Sequence, residues 1–96
     1  MWVSIDLCLL PIGVGVSLSP YINACINIIK SHDLNYEVGP NGTAIEGDWV
    51  KVFDCVKHCH EKVHKLGAAR IYTTIKVNTR SDRKQLFTEK LENIKV

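Results

Sequence analysis

The 96 residues, 46% hydrophobic and 23% charged, fit one small folded domain and exclude both a second core and a wholly disordered chain. A formal charge of +2 is too small to mark a polyanion-binding surface by itself. The longest early apolar stretch, Leu7 to Val16, is broken by Pro11, Gly13 and Gly15 and falls short of the ~20 residues that cross a bilayer.

Val3 to Leu9 alternates apolar with small or polar residues at period two, which predicts a half-buried strand that Pro11 to Gly15 then breaks. Ser19 before Pro20 is a helix start, with the serine expected as cap. Ile22, Cys25, Ile26 and Ile29 form one apolar face as far as about Ser31. Asn35 to Val38 and Thr43 to Glu46 read as a hairpin around Gly39-Pro40-Asn41-Gly42, where Asn-Gly can supply positive φ. Asp48 is placed to cap a second helix with an inner stripe of Trp49, Val52, Val56, Cys59, Val63 and Leu66, closed by Gly67. Arg70 to Val77 alternates as a fourth strand. Asp82 to Gln85 has the form of a capping box for a last helix with Phe87, Leu91 and Ile94 on one stripe.

Two helices can bury their stripes only on one face of a four-stranded sheet, and right-handed crossovers place the first strand between the third and fourth. The reading is an α+β, ferredoxin-like β-α-β-β-α-β sandwich over residues 1–96, with a C-terminal helix added. Its open face would carry Asp6, Cys8, Ala44, Glu46, Tyr72, Thr74 and Lys76. So small a domain removes only roughly 60–65% of its unfolded surface from water. Self-association through that face would add burial and enclose a pocket of acids and hydroxyls suited to an amino-bearing heterocycle. The bland alternative is a wet sheet with weak cross-strand ion pairs.

Catalytic and metal signals are weak. In Cys55-Val56-Lys57-His58-Cys59-His60, with His64 beyond, the cysteines follow the apolar stripe while His60 and His64 point away, so core thiols and surface histidines are expected and no metal site. His60 with His64 could hold only adventitious metal. Cys8 lies in mid-strand, away from any helix N-terminus that would activate it. The aromatic ladder of an RNA-binding sheet is missing, and Asp6 and Glu46 would repel phosphate, so no nucleic-acid partner is expected. Only Met1 and Trp2 precede the first strand, so no leader is read. The expectation is a cytoplasmic protein that does not act at a membrane, with Cys8, Cys25, Cys55 and Cys59 reduced.

Four segments then stand in register: Leu10 to Gly13, Leu18 to Ile22, Gly42 to Asp48, and Arg70 to Val77 with Arg80-Ser81-Asp82. Together they resemble the small thiamine-binding protein family, also called YkoF-like, over about Val3 to Asp82. The resemblance implies a ferredoxin-like fold, homodimers paired into homotetramers through their sheets, and binding of thiamine or its hydroxymethylpyrimidine part. Carried over by motif, the ligand-binding positions are Pro11, Ser19, Tyr21, Thr43, Glu46 and Lys76; Asp6 joins them from the sheet-face argument. Val14-Gly15-Val16 departs from the polar loop usual in similar proteins. The expectation is therefore a non-enzymatic thiamine- or pyrimidine-binding homo-oligomer without catalytic residues, metal or cofactor. The alternative is a structural or regulatory oligomer with no small-molecule ligand.

Overall fold

Along the first strand Val3, Ile5 and Leu7 alternate with Ser4, Asp6 and Cys8, and this alternation decides which side of the sheet is dry. In the computed structural model, which describes residues 1–94, the three apolar residues are buried and Asp6 is exposed. The elements in chain order are β1 (Trp2–Ile12), α1 (Ser19–Ser31), β2 (Asn35–Val38), β3 (Thr43–Asp48), α2 (Trp49–Lys65), β4 (Arg70–Thr79) and α3 (Phe87–Glu92). All strand pairs are antiparallel in the order β2-β3-β1-β4, the predicted ferredoxin-like arrangement with β1 in the middle. The core sits between the sheet and two helices: Val3, Ile5, Leu7 and Ile45 from strands, Cys25 and Ile29 from α1, and Val52, Cys55, Val56, Cys59 and Val63 from α2.

Three local expectations are corrected. First, β1 continues through Pro11 and does not stop before it. Its β4 partner runs from Val3↔Thr79 to Ile12↔Arg70, whereas β3 accompanies it only as far as Leu7↔Thr43. Beyond Leu7 one side of β1 is an open edge, the setting in which sheets tolerate proline.

Second, Ser19 does not cap α1; Leu18 holds that position, with no side-chain bond. The first turn has little need of a serine oxygen. Pro20 brings no N–H, and the amides of Tyr21 and Ile22 already donate to the Leu18 carbonyl at 3.0 and 3.1 Å. Third, the capping box at Asp82 is not used, and α3 starts at Phe87 behind Leu86. The Arg80 guanidinium takes the Asp82 carboxylate, donating from Nε at 2.8 Å, and holds its pKa down at about 2. Ile94 of the expected stripe lies beyond the helix. The 80–86 segment is steadied by Lys84, whose ammonium sits 3.9 Å above the Trp2 ring.

The remaining signals act as the sequence suggests, with adjustments. Asp48 caps α2 by accepting from the Val50 amide at 3.2 Å; the N-terminal ammonium 3.3 Å away depresses its carboxyl pKa. Gly67 closes α2 with φ of 111°. Cys55 joins the buried stripe, while Trp49 and Leu66 at its two ends stay partly exposed. The hairpin turn closes by Gly39 N–H donating to Gly42 O at 2.8 Å, and neither Asn41 nor Gly42 has positive φ. Gly42 is needed for space: a Cβ there would stand 2.8 Å from Asp6 Oδ1 and 3.2 Å from the Leu7 carbonyl.

Gly47 is tighter still, because its added Cβ would lie 2.7 Å from Leu34 and 3.4 Å from Val52 inside the core. Gly47→Ala is expected to destabilise the fold by about 1–3 kcal/mol in urea unfolding. A variant as stable as the parent would show that α2 and the β2 entry can move apart freely.

Candidate functional site

The register builds the open face from β1 outward. Asp6 lies opposite Lys76 on β4 and Ala44 on β3; Cys8 is opposite Thr74, Leu10 opposite Tyr72, and Ser4 opposite both Asn78 and Glu46. This is the mixed polar face that the alternation predicts. A groove of about 530 Å³ runs over it, with Asp6, Glu37, Ala44 and Lys76 on its floor and Phe87 and Leu91 of α3 at its side. Tyr72 is 67% exposed and Leu91 57%, so the face keeps apolar groups in contact with water.

Glu46 departs from the expectation of an open acidic group. It is 0% exposed. The Asn35 side-chain amide donates to Oε1 at 2.6 Å, and the Phe87 backbone N–H donates to Oε2 at 2.7 Å. A buried carboxylate requires such donors, and here they tie the start of α3 to the hairpin.

A second hollow of about 370 Å³ lies on the other side of the sheet, between α1 and the hairpin turn. Its walls are mainly Leu7, Leu9, Leu18, Ile22, Ile26 and Val38, with Asn41 and Thr43 as polar groups. Of the expected ligand residues only Thr43 lines it. Ser19 and Tyr21 stand in the first turn of α1, between Leu18 and Ile22; Ser19 is exposed and Tyr21 packs partly against the core. Pro11 is buried near the end of β1. Asp6 and Lys76 belong to the opposite face. Of the seven residues, Thr43 lines one hollow, Asp6 and Lys76 line the other, and Pro11, Ser19, Tyr21 and Glu46 line neither; the two hollows share the turn residues Gly39 and Gly42.

All four cysteines are free, and Cys25, Cys55 and Cys59 are buried. Cys59 S–H donates to the Cys25 carbonyl at 3.7 Å, and its neighbouring thiols together with burial push its pKa far up. All three pack in the core, and Cys59 among them is held protonated. Cys8, half-exposed on the sheet, is bordered by Thr74 across the ladder. His60 and His64 do not converge: His60 Nε2 meets Thr73 Oγ1, and His64 Nδ1–H donates to the Ala68 carbonyl, each at 2.7 Å. Burial and then the neighbouring His64 lower the His60 pKa below the usual imidazole range.

A family model described as thiamine-binding protein matches residues 5–95. A UPF0045 protein of Synechocystis is 46% identical over 98% of this chain and 78% of its own length. A UPF0045 protein of Methanothermobacter thermautotrophicus is 33% identical, with 97% and 96% covered. The crystal structure of the protein MJ1052 from Methanocaldococcus jannaschii superposes with a TM-score of 0.88 at 28% identity, covering 95% of this chain and 93% of that one. No helix among the described residues is long and apolar enough to cross a membrane.

The Glu46 bonds give a direct test of how α3 is held. Glu46→Ala should cost about 2–4 kcal/mol in urea unfolding and speed amide exchange at Phe87. Unchanged exchange there would mean that α3 is fixed by its apolar contacts alone.

Proposed function

Because the chain belongs to the thiamine-binding protein family, we propose that it binds thiamine or a related hydroxymethylpyrimidine, without catalysis, as a cytoplasmic homo-oligomer. The observation that carries this reading is the 370 Å³ hollow beside the hairpin turn. Its size and make-up suit a small heterocycle: apolar walls for ring faces and a few polar groups to fix orientation. In this reading Thr43 and Asn41 hydrogen-bond the ring edge, while Leu18, Ile22 and Ile26 cover its face. Ser19 and Tyr21 adjust the first turn of α1 at the mouth. Asp6 and Lys76 serve the open face, where a second copy docks over Leu10, Cys8 and Tyr72. Glu46 enters the ligand site only if a ligand amino group replaces the Phe87 N–H.

One observation favours the alternative of an oligomer with no small ligand. Both oxygens of Glu46 already have protein donors, so the face's buried acid is satisfied without one. Calorimetry separates the readings. Thiamine or hydroxymethylpyrimidine should bind at about micromolar affinity; Ile22→Trp, which fills the hollow from a partly exposed position, should weaken binding at least about tenfold. Absence of heat up to about millimolar ligand would remove the ligand claim. Weakening by Asp6→Asn but not by Ile22→Trp would move the site to the sheet face.

Sedimentation tests the oligomer separately. Tyr72→Asp places a charge in the centre of the docking face and should shift the species towards monomer. A parent protein that is already monomeric at about 100 μM would end that part of the proposal.

A further inference from the structure

Of the histidines in the Cys-His segment, the fold gathers His58 with other ligand types, and not His60 or His64. At the C-terminal end of α1, His32 meets Asp54 and His58 of α2, and one donor atom from each lies within 4.8 Å of the others. Asp54 and His58 are i, i+4 on one helix face, the spacing at which two side chains can share a ligand. His32 sits on the facing helix as its C-cap.

The orientation of His32 is fixed from behind. Its Nδ1 lies 2.8 Å from the Ile28 carbonyl, which can only accept, so in the neutral ring Nδ1 carries the proton and Nε2 presents a lone pair. A backbone carbonyl holding the distal N–H is the usual outer support of a metal-binding imidazole. Nε2 then points at His58 Nδ1, 2.8 Å away. Asp54 Oδ2 stands 3.6 Å from the first nitrogen and 3.7 Å from the second.

Those last two separations are decisive. They are too long for hydrogen bonds, so the carboxylate accepts from neither neutral ring, although both separations lie within ion-pair reach of a protonated one. They are close to the edge of a tetrahedron around Zn²⁺, about 3.3 Å for bonds of 2.0–2.1 Å. The nitrogen pair reaches that edge by parting about half an ångström. Without metal, the nitrogen pair is explained by His58 Nδ1–H donating to His32 Nε2, and Asp54 is then held only by a long ion pair that requires one ring to be protonated.

We propose that His32 Nε2, His58 Nδ1 and Asp54 Oδ2 form a three-ligand site for Zn²⁺ or another borderline divalent transition metal, with the remaining position open to water. Two imidazoles and a carboxylate suit such an ion better than Mg²⁺ or Ca²⁺, which favour all-oxygen sets. Side-chain exposures of 17% for His32, 51% for Asp54 and 44% for His58 leave an entry path from solvent. The outward carbonyl dipoles at the end of α1 add negative potential there. The bound ion would clamp α1 to α2 on the side of the core away from the sheet. This site is independent of the thiamine reading.

The test is titration of chelator-treated protein with Zn²⁺ alone. One ion per chain is expected, with a rise in melting temperature. His58→Ala and Asp54→Ala, at half-exposed positions, should each lower affinity at least about tenfold, and His64→Gln should leave it unchanged. Co²⁺ in the parent protein should give tetrahedral visible bands without thiolate charge transfer; this readout needs no variant and decides the matter if a substituted chain fails to fold. Failure to bind at about 100 μM Zn²⁺ would overturn the proposal. So would affinity unchanged in His58→Ala, or a thiolate-to-cobalt band.

Discussion

Everything in this fold depends on β1 having a neighbour on each side and a different chemistry on each face. Val3, Ile5 and Leu7 put one face under the two long helices, and Ser4, Asp6 and Cys8 leave the other without a helical layer over most of its area. Because side chains alternate strictly in a strand, a slip of one residue would bury Asp6 and expose Ile5. Pairing with β3 and β4 in one register therefore follows from burial as much as from backbone hydrogen bonds. The open groove, the hairpin turn beside Asp6 and the landing place of α3 are consequences of that register.

The strands and long helices were legible because their signals are periodic and were reinforced by punctuation. Asp48 and Gly67 stand at the two ends of α2, and the Gly-Pro-Asn-Gly turn joins β2 to β3. What was not legible depended on partners distant in sequence. Nothing near Glu46 indicates that a backbone amide 41 residues later will cover it. Asp82 looks like a cap until Arg80, two residues away, claims its carboxylate. Pro11 looks like the end of a strand because the early end of β3, which makes that position an edge, is fixed only by the tertiary pairing.

The candidate ligand residues show the same limit more sharply. Family motifs carry over positions, but they do not state which side of a sheet a position serves. Pro11 and Thr43 share the helix side, Lys76 takes the other, and Glu46 is enclosed between the hairpin and α3. The Cys-His segment shows the limit in another way: it reads as core thiols with outward His60 and His64, as found, yet its His58 passes unnoticed. The segment's local density of ligand types drew attention to His60 and His64, whose rings are engaged with Thr73 and Ala68. The informative local signal was Asp54 with His58, four residues apart on one helix face. Its third member, His32, comes from a different helix and could be found only by knowing how α1 packs against α2.

The hairpin turn is where the two hollows meet. Gly39 and Gly42 border both the apolar hollow under α1 and the groove across the sheet. Gly42 lacks a side chain where Asp6 presses against it, so the turn has no slack on that side. A molecule seated against Thr43 and a second subunit seated over Asp6 would thus push on opposite surfaces of the same four residues. If each prefers a particular setting of the turn, binding at one surface changes affinity at the other by an equal factor, since linkage between two binding equilibria is reciprocal. Ligand capture and assembly, in that case, are two readings of one backbone segment.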